Sequence, residues 1–191
     1  MAQIKRDCKG RSEEEFLADY TPRNYEKPSV TVDIVLITKT YPQQVLFIKR
    51  KNHPFLDMWA FPGGFVDIHE DLIESAYREL KEETAIEAIS LTQFHTYGNV
   101  KRDPRMRVIS IAYLAILPEQ VISSAKDDAK DAQWFEIQQN DQTIDLINPQ
   151  SHIRYERKNQ EILHVEGYDA LAFDHIQILI DALDEYAKHT L

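Results

Sequence analysis

Residues 64–86 constrain the chain more than any other stretch. Gly64 is followed after five residues by Glu70, and after seven more by Arg78-Glu79-Leu80-Lys81-Glu82-Glu83-Thr84-Ala85-Ile86. Pro62-Gly63-Gly64 marks a turn after the apolar Trp59-Ala60-Phe61. Asp67, with Glu70 three residues on, reads as a capping pair that starts a helix. Ile73, Ala76, Tyr77, Leu80 and Thr84 then recur at helical spacing and predict its buried stripe. Glu79, Glu82 and Glu83 share a different face. Like charges so spaced repel by about 0.2–0.5 kcal/mol per pair, so their clustering points to a bound cation. Oxygen-only donors suit hard ions, which makes Mg²⁺ or Mn²⁺ the expected metal, shared between carboxylates and a substrate phosphate. Arg78 can pair with Glu70 or Glu74 and brace the helix.

Around this segment the pattern is that of a mixed α/β domain. Val30 to Ile37 is nearly continuous and β-branched, as a buried strand would be, and Val45 to Ile48 reads as its partner. Ile89 to Tyr97, Val108 to Leu117 and Ala132 to Phe135 read as further strands, with a turn-rich segment from Gln138 to Asp145. Leu171 to Leu183 predicts a C-terminal amphipathic helix. Strands between two main helices, rather than regular βα units, indicate a mixed sheet. Residues 1–28 are expected to form a polar tail and a short helix capped at Ser12, and residues 29–191 the main domain.

Composition narrows the function. At 191 residues and 43% hydrophobic content, one sizeable core is expected. No apolar run is long enough to span a bilayer, and the first residues lack the apolar stretch of a signal peptide. The single cysteine, Cys8, rules out an internal disulfide framework, so the cytoplasm is the expected compartment. A net charge of −10 repels a nucleic-acid backbone. A small anionic nucleotide remains compatible once metal ions screen the carboxylates. Two basic clusters could meet its phosphates: Lys49-Arg50-Lys51, and the loop Gly98–Arg107 with Arg102 and Arg105.

The 64–86 segment resembles the Nudix box, G-x5-E-x7-R-E-U-x-E-E-x-G-U, where U is aliphatic. Every fixed position matches except the last glycine, which is Ala85. That departure falls at the helix end, where glycine serves as a C-cap, and removes no ligand. The resemblance implies an α/β/α sandwich with a mixed sheet, and hydrolysis of a nucleoside diphosphate linked to another group. It implies that Glu79 and Glu83 bind Mg²⁺, that Glu82 assists, that the Gly63 carbonyl completes the site, and that Glu70 orients the helix through Arg78.

Flanking pieces resemble the ADP-ribose pyrophosphatases of the branch related to Nudix-type regulators of NAD metabolism. They are Tyr25–Asp33, Met58–Val66, Arg102-Asp103-Pro104-Arg105 and Leu171–His175. The resemblance implies cleavage of ADP-ribose to AMP and ribose 5-phosphate, and the two basic clusters offer Arg50, Arg102 and Arg105 as substrate contacts, with a solvated surface as the alternative. It also implies a homodimer paired through the N-terminal portion. Those regulators continue into a winged-helix DNA-binding domain, whereas this sequence ends at Leu191, so nucleic acid is not an expected partner. The base that activates water is open between a loop acid near Trp134 (Asp127, Asp128 or Glu136) and Glu82. His95, His164 and His175 lack metal-ligand spacing and are expected to pack or face solvent.

Overall fold

The computed structural model describes residues 5–22, 25–87, 89–121, 129–159 and 161–190. Its elements follow in chain order: α1 (Glu13–Asp19), β1 (Ser29–Thr38), β2 (Gln44–Arg50), β3 (Trp59–Ala60), β4 (Gly63–Phe65), α2 (Leu72–Thr84), β5 (Thr92–Tyr97), β6 (Val108–Leu117), β7 (Ala129–Gln139), β8 (Thr143–Ile147), β9 (His152–Lys158), β10 (Glu161–His164) and α3 (His175–Thr190).

One mixed sheet runs β10-β9-β8-β7-β2-β1-β6-β5, with β3 paired to β2 and β4 to β1. β1 and β6 pair in parallel, from Ser29 opposite Val108 to Thr38 opposite Leu117. The other strand pairs are antiparallel.

Helices cover both faces at the centre, which explains the nearly unbroken apolar run of β1. Val32, Ile34 and Leu36 pack with Ala76 and Leu80 of α2. Val35 and Ile37 pack with Ile178, Leu179 and Ala182 of α3. The alternation of a strand thus divides one sequence run between two cores. Asp33 is the charged residue inside that run, and it is only 7% exposed.

Several boundaries differ from the sequence reading, each for a local reason. The capping pair of α2 is Asp71 and Glu74, not Asp67 and Glu70; the Asp71 amide donates to the Glu74 carboxylate at 3.0 Å. Glu70 cannot reach back because Arg78 and Ser75 hold its carboxylate. The strand expected from Ile89 starts only at Thr92, since Ile89 and Leu91 pack irregularly against the α2 core. The turn-rich segment at Gln138–Asp145 is narrower than expected. The Asn140 side chain accepts from the amides of Gln142 and Thr143, and β8 follows at once. The C-terminal helix begins at His175 because Leu171 and Ala172 are extended beside Trp59. The short helix capped at Ser12 is α1, and it buries none of its side chains. Among the described residues no helix is long and apolar enough to cross a membrane.

Candidate active site

The glycine turn is held tightly on the sheet edge. Gly63 lies opposite Asp33 and Gly64 opposite Val32 in the β1–β4 ladder. A side chain at Gly63 would collide with the Val32 carbonyl oxygen, so the backbone can come this close only without a Cβ. The Gly63 amide donates to Glu83 Oε2 at 2.8 Å, which ties the turn to the last turn of α2. Glu83 is 7% exposed.

Arg78 organises the other carboxylates. Its Nε donates to Glu70 Oε1 at 2.8 Å and its Nη2 to Glu70 Oε2 at 2.9 Å. Its Nη1 donates to Glu79 Oε1 at 2.7 Å and to Glu82 Oε2 at 3.2 Å. A further Nη2 bond, at 3.2 Å, reaches the Phe65 carbonyl beyond the turn. The Arg78 bonds, joined by the Ser75 hydroxyl, hold Glu70 down to about 2. Glu79 goes the other way: burial raises it, and the bond from Arg78 only partly offsets that.

Gly63, Gly64, Glu79, Glu82 and Glu83 line one cavity together with Asp67 and Arg78. Among the described residues no closed group of three acidic, histidine or cysteine side chains is gathered to hold a metal. The donors are nonetheless all oxygens, on an acidic helix face beside a backbone turn, and the half-buried Glu79 carboxyl is pushed up by burial despite its bond from Arg78. That set fits a hard divalent cation that keeps several of its waters.

A second cavity, of about 340 Å³, adjoins the first through Gly63, Gly64 and Glu83. Its wall includes Arg50, Lys51, Arg102 and Arg105, with Phe65 and Phe173. Arg105 lies 5.2 Å from the Phe65 ring and 5.9 Å from Phe173, and the Arg50 guanidinium lies 5.0 Å from Phe173. Phe173 has φ of +51°, a backbone setting unusual for a bulky residue and one that often marks functional sites. A chain of net charge −10 thus gathers these cations and two aromatic rings beside its acidic helix, in a pocket whose wall also carries Asp33, Glu83 and Asp103.

The expected cations therefore converge, though not in equal roles. Arg102 borders the cavity, but its Nε and Nη2 are bound to Asp174 at 3.0 and 2.7 Å, and Nη2 is 3.5 Å from Asp33. Its side chain is 4% exposed, so it braces the wall more than it offers itself to a ligand. Arg105 is paired with Asp103, whose carboxyl burial would raise but whose hydrogen bonds from Arg105 hold low. Arg105 stays more open, at 37% side-chain exposure. Glu136 faces a separate groove with Gln44 and Asn148. Asp127 and Asp128 lie outside the described residues. Tyr97 is buried and donates to Asp181 at 2.8 Å, which is a packing role.

Asp33, Asp174 and His175 have site-building roles that periodicity did not reveal. The available signal was Asp33 itself, a charge inside an otherwise apolar strand, which requires buried partners. They are the Ser110 hydroxyl, Arg102 and His175.

The NUDIX domain profile matches residues 27–155. The chain belongs to the Nudix family. This Nudix domain is 36% identical over 131 residues to an ADPR-responsive transcriptional repressor, NtrR, of Acinetobacter baylyi, covering 67% of this chain and 52% of that protein. It is 39% identical over 116 residues to an ADP-ribose pyrophosphatase of Methanocaldococcus jannaschii, covering 60% of this chain and 66% of that one. The chain thus spans between about half and two thirds of these curated relatives. Among solved structures, a MutT/nudix family protein from Enterococcus faecalis superposes with a TM-score of 0.82 at 38% identity, over 93% of this chain and 70% of that one. The NUDIX domain of Shewanella oneidensis NrtR, in complex with ADP ribose, does so with a TM-score of 0.66 at 28% identity, over 92% and 99%.

Proposed function

We propose that this Nudix domain hydrolyses the pyrophosphate of ADP-ribose to AMP and ribose 5-phosphate with Mg²⁺, or Mn²⁺ in its place. The observation that carries the reading is the shared wall: Glu83 and the Gly63-Gly64 turn line both the carboxylate cavity and the cavity bordered by Arg50, Lys51, Arg105, Phe65 and Phe173. A diphosphate lying along that wall has its phosphorus beside the acidic helix and its remaining groups against Arg50, Lys51 and Arg105. The likeness to an ADP-ribose pyrophosphatase and to a domain bound to ADP ribose supports that substrate.

Glu79, Glu82, Glu83 and the Gly63 carbonyl are the groups that would hold the metal. When bound, it would neutralise phosphate charge and lower the pKa of attacking water. Glu70 and Arg78 hold α2 in register with the turn. Glu82 is the carboxylate best placed to take the water's proton: its side chain is 45% exposed, and its bond to Arg78 is the long one at 3.2 Å. Asp128 remains the other base candidate.

A second reading, an ADP-ribose sensor without turnover, is favoured by the likeness to NtrR. Glu83→Gln separates the two. Calorimetry with ADP-ribose and product analysis with Mg²⁺ should show binding by both proteins and AMP from the unaltered one alone. Binding without AMP from either protein points to the sensor.

We further propose that the domain works as a cytoplasmic homodimer paired through its N-terminal part. Phe16, Leu17 and Tyr20 of that part are exposed, and two copies could cover them. A monomeric mass by light scattering contradicts this.

A further inference from the structure

We propose that His175 is a positioning residue for the glycine turn, setting the Phe61–Gly64 backbone from the face of the sheet opposite α2. The functional readouts of this proposal rest on the metal-dependent reading above; its structural part does not.

Phe61 and Pro62 lie between β3 and β4, outside both ladders. Pro62 has no amide hydrogen, and its carbonyl accepts from the Ile34 amide at 2.8 Å. The Phe61 amide is buried, and a buried donor must find a partner. It donates to His175 Nδ1 at 2.9 Å, across 114 positions of sequence. The two rings also stack, with centroids 5.3 Å apart and 25° between planes.

Because Nδ1 accepts, the ring hydrogen sits on Nε2. That nitrogen faces Asp33 Oδ1 at 3.4 Å. Asp33 is the ladder partner of Gly63, so one imidazole links the residue opposite the turn to the residue entering it. Asp33 is itself fixed by Ser110 and Arg102. Burial holds the imidazole below its ordinary pKa, against the pull of Asp33, and so favours the neutral ring an acceptor needs.

The link continues to the chemistry. Two residues past Phe61, the Gly63 amide holds Glu83 at 2.8 Å. If the Phe61 amide loses its acceptor, the Pro62–Gly63 backbone relaxes and Glu83 moves with it. The imidazole thus acts on the ligands as an outer hydrogen-bond partner does in a metal site.

The test compares His175→Leu, His175→Asn and His175→Gln. Asparagine can place an acceptor near the Nδ1 position, whereas glutamine places it near Nε2. Mn²⁺ affinity is read by water-proton relaxation without turnover, the Gly63 and Gly64 amides by NMR, and turnover by steady-state kinetics. His175→Leu and His175→Gln should weaken Mn²⁺ binding about 10–100-fold and shift both glycine amides, and asparagine should restore both. In turnover, kcat and kcat/KM should fall together with KM unchanged. If the leucine variant does not fold, the asparagine–glutamine pair carries the comparison. The proposal is overturned if leucine leaves Mn²⁺ binding and the glycine amides unchanged, or if asparagine and glutamine behave alike. If the unaltered protein binds no Mn²⁺, the metal-dependent reading falls, and the glycine amides decide the positioning role by themselves.

Discussion

Gly64 lies against the carboxylate of Glu79, so closely that a methyl group on Gly64 would overlap its Oε1, Cδ and Oε2 atoms. The glycine that opens the motif therefore makes room for a carboxylate fifteen residues later. Gly64→Ala should leave the fold intact, because only the end of a flexible side chain has to move. It should displace Glu79 and weaken Mn²⁺ binding by about 10–100-fold. Relaxation titration with a melting curve checks this. Unchanged Mn²⁺ affinity in the alanine variant contradicts it.

Glu79 predicts a trade between stability and function. Burial raises its pKa, so folding disfavours its charged form. Stability falls as pH rises from the unfolded pKa to the raised folded one, and the cost persists above that window. With metal removed, at neutral pH, Glu79→Gln should therefore melt higher than the unaltered protein. With Mg²⁺ its turnover should drop by about 100-fold or more, the loss of several kcal/mol of metal-linked stabilisation. Calorimetric melting in a chelator is the check, and a lower melting temperature refutes the assignment of Glu79 as a strained carboxylate.

Glu70 predicts the opposite slope. Hydrogen bonds from Arg78, then from Ser75, depress it to about 2 from an ordinary value of 4.5. A depressed carboxylate stabilises above the unfolded pKa and loses that contribution as pH falls through the folded one. The stability gap between the unaltered protein and Glu70→Gln should be constant above about pH 4.5 and shrink toward pH 2. Urea unfolding across that range measures the gap. A gap independent of pH would mean that the Arg78–Glu70 pair does not form.

Ala85 occupies the left-handed C-cap position, with φ 61° and ψ 14°, and its amide closes the helix on Lys81 at 2.9 Å. An L-residue pays about 1–2 kcal/mol there, while glycine costs about 0.4–1 kcal/mol in unfolded-state entropy. Ala85→Gly should therefore stabilise by about 0.5–1 kcal/mol and raise Tm by roughly 1–4 °C without altering turnover. A lower Tm would show that the cap is not strained.

Much of the centre was legible in sequence because its signals are periodic. The buried run of β1, the span of β6 and the acidic face of α2 follow from spacing alone, whereas the division of β1 between two cores shows only in the structure. The Arg78–Glu70 pair was one of two partners allowed by the eight- and four-residue separations, and the structure selects it. The outer strands were harder to see. β8 to β10 are short, and Asn140 and Asn148 form their turns with side chains rather than glycine. The buried assembly of Asp33, Ser110, Arg102, Asp174 and His175 joins residues far apart in the chain, and no local period encodes such a meeting. His175 looked like a packing histidine because its partner is a backbone amide, which sequence does not mark.

Cleavage of ADP-ribose at this glycine turn and helix is the reaction proposed for the domain. Its most direct test is kcat/KM of the purified protein with Mg²⁺ on ADP-ribose, ADP-glucose, NADH, diadenosine polyphosphates and 8-oxo-dGTP, with products identified. ADP-ribose should give the highest value, with AMP and ribose 5-phosphate formed together and both lost in Glu83→Gln. A higher value on another of these compounds, or no turnover of any of them, would contradict it.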